Sequence, residues 1–151
     1  MSTSTDSVEA LHTPDPVPPG FERVNRSSAF SELLGPLYQK PDTAGPVFAI
    51  RAQAKHCNAR GQVHGGVLCS LADIAMGYST ALSTSPPTPI VTANLSIDYA
   101  GKSVQGDWIE VRTDVHKVGR TLAYANCFIH VGELRIARSS AVFSITPAER
   151  T

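Results

Sequence analysis

The stretch "NARGQVHGGVLCSLADIAMG", residues 58–77, joins a polar, glycine-bearing segment to an apolar run that holds one aspartate. After Gly65-Gly66, the side chains Val67, Leu71, Ile74, Tyr78 and Leu82 fall on one helical stripe, and Leu68, Ala72, Ala75 and Met76 fill much of the remaining circumference. A helix apolar nearly all round is a buried helix, and this one predicts the centre of the fold. Between Gly61 and Ile97 the only residue formally charged at pH 7 is Asp73. A buried carboxylate without a partner is costly, so Asp73 must be paired, shifted in its ionisation or open to a cleft.

Outward from this helix the period changes. On the N-terminal side, "SSAFSELLGPLYQK" offers a Ser cap, Phe30, Leu33, Leu34 and Leu37 at helical spacing, and a Gly35-Pro36 stop, which predicts a short amphipathic helix. After Gly45, the residues Phe48, Ile50, Ala52 and Ala54 alternate with Ala49, Arg51, Gln53 and Lys55, which predicts a half-exposed strand. On the C-terminal side four more stretches show period two. In "IVTANLSIDYA" the positions Val91, Ala93, Leu95, Ile97 and Tyr99 oppose Thr92, Asn94, Ser96 and Asp98; "WIEVRTDVHKV", "LAYANCFIHV" and "LRIARSSAVFSI" follow, with reversals at 118–121 and 131–133. The predicted fold is α+β: a curled antiparallel sheet of five to six strands, its last four a meander, wrapped around one long central helix. The open edges and second face of such a sheet call for another subunit, so a dimer at least is expected.

The chain has 151 residues, enough for one domain with its own core. Residues 1–25, rich in Pro, Ser and Thr over the first twenty, are expected to be a flexible leader, and 26–147 a single domain. Thirteen basic residues balance thirteen acidic ones, which provides no global field for nucleic acid or an anionic membrane. Cys57, Cys69 and Cys127 are odd in number and have no CxxC spacing, as expected of reduced thiols in a cytoplasmic protein. The first twenty residues contain no Lys or Arg, which fits neither a secretory nor a transit peptide. Residues 65–84 carry Asp73 near their centre, together with Ser70, Ser79 and Thr80, and suit a buried helix better than a membrane span.

His64 stands immediately before Gly65-Gly66 at the helix start, where backbone N–H groups lack helical partners and the dipole is positive. Glycine there lets a ligand approach the backbone, an arrangement suited to a carbonyl oxygen that gains negative charge during acyl transfer. The same residues also suit a glycine-rich turn with a satisfied histidine, and Asp73 alone could cap a loop or pair with a core arginine. Asn58 could orient a water or an acyl oxygen, though Asn also favours turns for local reasons. No phosphate-binding loop, GxSxG elbow or HExxH helix is present. His56 and His64 are eight apart without a carboxylate triad, so no metal is expected.

Taken together, Asn58, Gly61, His64-Gly65-Gly66 and Asp73, with the strand, helix and four-strand order over roughly residues 45–146, resemble the hotdog-fold acyl-CoA thioesterases. The resemblance is to the phenylacetate-catabolism (PaaI-like) branch of the 4-hydroxybenzoyl-CoA thioesterase superfamily. It implies that Asp73 is the catalytic carboxylate, as nucleophile on the thioester or general base on a water. It implies further that the Gly65 N–H polarises the carbonyl, with His64 and Asn58 orienting that carbonyl or the water. Thr92 stands where relatives often carry Ser, which implies a water-positioning hydroxyl. Gly66, with Gly119, Arg120 and Thr121 of "VGRTLAY", falls at substrate- and CoA-binding positions, Arg120 on phosphate. Active sites lie between subunits in this family, so the resemblance implies a homodimer and a dimer-of-dimers tetramer.

The expected function is hydrolysis of an aromatic or medium-chain acyl-CoA to free acid and CoA, with no cofactor beyond the coenzyme A of the substrate. A thiolate leaves readily, so a desolvated carboxylate and an oxyanion-stabilising helix end suffice. The alternatives are a non-catalytic acyl-CoA binding or regulatory protein and a hotdog hydratase or dehydratase, whose histidine sits in a differently built motif beside a proline.

Overall fold

The computed structural model describes residues 16–25 and 28–147. In chain order the elements are β1 (Glu22–Arg23), α1 (Ala29–Leu34), β2 (Tyr38–Lys40), β3 (Val47–Arg51), a 3-10 turn (Ala54–His56), α2 (Gly65–Leu82), β4 (Ile90–Tyr99), β5 (Trp108–Val118), β6 (Leu122–Val131) and β7 (Leu134–Ile145). One open sheet holds all seven strands in the order β1-β2-β3-β5-β6-β7-β4, every pairing antiparallel. It wraps around α2, which packs on β3, β4, β5, β6 and β7. The seven strands exceed the five to six expected because β1 and β2, two and three residues long, are too short to show a period.

The four late strands do not form a meander. Only β5, β6 and β7 follow one another as hairpins, and β4 lies beyond β7 at the sheet edge. The connection at 100–107 is short, yet eight residues can reach about 26 Å, whereas the three strand spacings from β4 to β5 span only about 14 Å. Loop length therefore did not fix which strand is the neighbour.

β3 is buried on both faces, not half-exposed. Phe48 and Ile50 enter the main core, while Val47 and Ala49 pack with Phe21, Tyr38 and Trp108 in a second cluster on the other face. Phe21 meets Trp108 edge-on at 5.1 Å, and the Arg51 guanidinium lies over the same indole while donating to the Pro16 carbonyl. Residues 16–25, read from the sequence as the end of the leader, thus lie against the sheet and supply β1; residues 1–15 are outside the described residues.

The buried stripe of α2 is Leu68, Leu71, Ala72, Ala75, Met76, Ser79 and Thr80. It is rotated from the stripe predicted, since Val67, Ile74 and Tyr78 are half-buried and Leu82 is exposed. The helix is long and apolar enough to span a membrane by composition, but here one side fills the sheet and the other, bearing Ser70, Asp73 and Gly77, is partly open.

Candidate active site

His64 caps α2 and closes its first turn. Its ring Nδ1 accepts the Gly66 N–H at 2.9 Å, and its carbonyl accepts from Val67 N–H at 2.9 Å and Leu68 N–H at 3.4 Å. The bond from Gly66 requires an unprotonated Nδ1, so the neutral ring carries its proton on Nε2 and presents a donor. The Gly65 N–H has no acceptor among the described residues. A free amide and, in that tautomer, a histidine N–H therefore both belong to the positive end of an 18-residue helix.

Both glycines sit close against side chains. A Cβ on Gly65 would lie 3.1 Å from the Tyr99 ring, and one on Gly66 would lie 3.1 Å from His64 Nδ1. The Tyr99 hydroxyl also donates to the Gly65 carbonyl at 2.7 Å. Nothing local in the sequence reveals a bond made across 34 positions.

Asn58 shapes the preceding loop. Its side-chain oxygen accepts from Arg60 N–H (2.9 Å) and Gln62 N–H (3.3 Å), and Gly61 completes the turn at φ +71°, a conformation that favours glycine. The oxygen is thereby committed, and only the amide nitrogen is left to meet a substrate or water. His56 is also structural: it is 2% exposed, Nδ1 accepts from Gln53 N–H and Nε2 donates to the Leu34 carbonyl at 2.6 Å. Burial, with the Lys55 ammonium adding to it, holds its pKa below the ordinary histidine value.

Asp73 has Thr92 as its partner, not an arginine: Thr92 Oγ1 donates to Asp73 Oδ1 at 2.7 Å. The predicted alternation pointed Thr92 away from the helix. In the structure the register of β4 against β7 shifts between Thr92 and Asn94, so that Thr92 pairs with buried Phe143 and Leu95 with buried Ala141. The extra residue is a β-bulge, and it turns Ile90 and Thr92 to the helix side while Leu95, Ile97 and Tyr99 beyond it also face inward.

The turn Gly119-Arg120-Thr121 joins β5 to β6. Gly119 N–H donates to the Leu122 carbonyl, and the Thr121 carbonyl accepts from Ile145 N–H. Leu122 pairs with Ser144, and Ser144 with Val91, which places this turn two strand spacings, about 10 Å, from the Thr92 end of β4. Arg120 is exposed and makes no ion pair among the described residues.

The site residues therefore form three groups: Asn58, His64, Gly65 and Gly66 at the start of α2, Asp73 with Thr92 at its middle, and the 119–121 turn near the second. Eight residues of helix rise separate Gly65 from Asp73 by about 12 Å. An apolar groove of ≈ 390 Å³, lined in part by Phe30, Leu33, Leu34, His64 and Val67, adjoins the first group. Met76, Tyr78, Leu82 and Tyr99 lie in different surroundings. Met76 is core, Tyr78 and Leu82 border a separate ≈ 500 Å³ cavity, and Tyr99 packs at Gly65. Among the described residues no three His, Cys, Asp or Glu side chains converge.

Residues 60–138 match the family model of the thioesterase superfamily. A Pseudomonas aeruginosa protein carrying an esterase name is 44% identical over 130 residues, covering 85% of this chain and 97% of that one. Human acyl-coenzyme A thioesterase 13 is 27% identical over 107 residues, 70% of this chain and 76% of that one. Among solved structures, zebra fish thioesterase superfamily member 2 superposes with a TM-score of 0.72 at 24% identity, over 80% of this chain and 88% of that one. The PaaI protein of the E. coli phenylacetic acid degradation operon superposes with a TM-score of 0.71 at 22% identity, over 80% and 86%. The chain belongs to the thioesterase superfamily and is a thioester hydrolase of hotdog fold. At 22% identity the likeness to PaaI is one of fold.

Proposed function

We propose that this chain is an acyl-CoA thioesterase that hydrolyses an aromatic or medium-chain acyl-CoA to free acid and CoA, at sites built across a homodimer. The observation that carries it is the spacing along α2. A thioester carbonyl must lie about 3 Å from both its oxyanion donors and its attacking group, but within one chain these are about 12 Å apart. A second copy brings the Asp73–Thr92 pair of one subunit to the His64–Gly65 end of the other. β4, at the sheet edge, is the strand free to pair with it. Two such dimers form a tetramer.

In this site the Gly65 N–H and His64 Nε2–H receive the negative charge that develops on the carbonyl oxygen. Asp73, with Oδ1 held by Thr92, uses Oδ2 to attack the thioester carbon or to take a proton from an attacking water. The C–S bond breaks and CoA leaves as its thiolate, so no strong acid is needed on the leaving side; where Asp73 attacks directly, water then cleaves the acyl-aspartyl anhydride to free acid and restores the carboxylate. The apolar groove beside His64 supports an apolar acyl group, and exposed Arg120 near the Thr92 end supports a CoA phosphate contact. No cofactor enters beyond the substrate's own coenzyme A. The three free thiols support a cytoplasmic setting.

The test is thiol release from a panel of acyl-CoAs by purified enzyme and by Asp73→Asn. A fall in kcat of at least about a hundredfold in a variant that folds as wild type is expected. Equal rates would refute the assignment of Asp73, and silence of the wild type across the panel would favour an acyl-CoA binding protein.

A further inference from the structure

Tyr99 lies outside both catalytic groups, yet it is tied to one of them through an unbroken line of hydrogen bonds. Its hydroxyl donates to the Gly65 carbonyl at 2.7 Å. That carbonyl belongs to the peptide whose N–H, on Gly66, donates to His64 Nδ1 at 2.9 Å. The ring stands so close to Gly65 that even a methyl there would meet it at 3.1–3.3 Å. Donation to a peptide oxygen polarises the peptide and strengthens its N–H as a donor, and such chains reinforce one another.

We infer that Tyr99 is a positioning residue of the thioesterase site, locking the Gly65–Gly66 peptide so that His64 is held with Nε2–H and the Gly65 N–H aimed together at the substrate carbonyl; this rests on the oxyanion role given above to that helix end. Three features support it. The bond reaches the first helical carbonyl of α2, at the end of the helix where the ladder is least constrained. The contact is not a packing accident of the core, because Tyr99 is 50% exposed and its hydroxyl has no other partner among the described residues. Tyr99 also closes β4, the edge strand, pairing with Ala137 of β7, so the anchor is the same strand that the dimer would fix.

The decisive variant is Tyr99→Phe, which keeps the ring against Gly65 and removes only the hydroxyl. Two measurements are made on the full chain. Without substrate, the Gly66 amide proton and the His64 imidazole ¹⁵N resonances are recorded; both are expected to move as the Gly66–Nδ1 bond weakens. With an acyl-CoA that wild type hydrolyses, kcat is expected to fall about three- to tenfold while KM stays within about twofold, the mark of a donor lost to the transition state alone. Resonances that stay in place, or a kcat equal to that of wild type, overturn the inference. Thermal melting guards against a trivial loss of fold: Tyr99→Phe should melt as wild type does while its kcat falls, and a loss of kcat matched by a collapse of the melt would overturn the positioning role. Failure of the wild type to hydrolyse any acyl-CoA would sink the functional reading instead, while the resonances still decide whether Tyr99 holds His64.

Discussion

Thr92 engages one oxygen of Asp73 and no other described residue engages the second, so under the proposed role a single methyl-bearing hydroxyl would decide which oxygen reacts. Thr92→Val preserves shape and removes the donor. We expect kcat to fall about tenfold with the fold intact, and Thr92→Ser to restore most of it, as measured by acyl-CoA hydrolysis and thermal melting. Equal losses in the two variants would show that packing of the methyl, not the hydroxyl, matters. At this scale the sequence was legible where chemistry is carried by residue type: Asp73 was conspicuous as a lone charge, and His64-Gly65-Gly66 as a helix start. It was illegible where the partner is remote. Neither the Thr92–Asp73 bond nor the Tyr99–Gly65 bond leaves a local trace, whereas the turn that Asn58 caps with its own oxygen was one of the two readings its sequence offered.

Among the elements, α1 shows how a six-residue helix can be held by its neighbours. Isolated, a helix of that length would not persist. Its C-terminal carbonyls accept from Lys55 Nζ at Leu33 and Gly35 and from His56 Nε2 at Leu34. Protonation of His56 would place a hydrogen on Nδ1 against the Gln53 N–H, so the folded chain resists it, consistent with the lowered pKa. The unfolded chain takes up that proton near the ordinary histidine value, 6.5, and the folded chain only at lower pH. Stability from this group is therefore full above 6.5 and declines as pH falls below it. His130, lowered by burial and by Arg112 and Arg135, acts in the same direction. Thermal melts from about pH 7.5 to about pH 5.5 should show wild type losing more than His56→Gln, although the variant starts lower. Parallel curves would remove His56 as a cause. The elements themselves were largely readable, because period two and helical spacing mark β5, β6, β7 and α2. The bulge in β4 was not, since strict alternation hides an added residue until the strand meets its partner.

For the whole molecule, the 12 Å between the two halves of the site has a direct consequence. Under the proposed shared site, mixing His64→Ala and Asp73→Asn chains by unfolding and refolding them together would make half of the dimers hybrid, each hybrid holding one intact site. About a quarter of wild-type activity is expected to return from two inactive parents. No recovery, with hybrids shown to form by native mass spectrometry, would place the whole site within one chain.

What the sequence determined by itself is the longer local elements and the residue types of the candidate site: a helix opening on His64-Gly65-Gly66, an aspartate at its middle, and strands enough to wrap it. Those depend on periodicity and on residue type, both of which are written locally. Tertiary structure alone decided that β4 lies beside β7, that residues 16–25 cover β3, and that a bulge turns Thr92 onto Asp73. Each of these depends on which distant surfaces come into contact, and pairing across dozens of residues is set by the packing of the assembled sheet on α2, not by any pattern within a single strand.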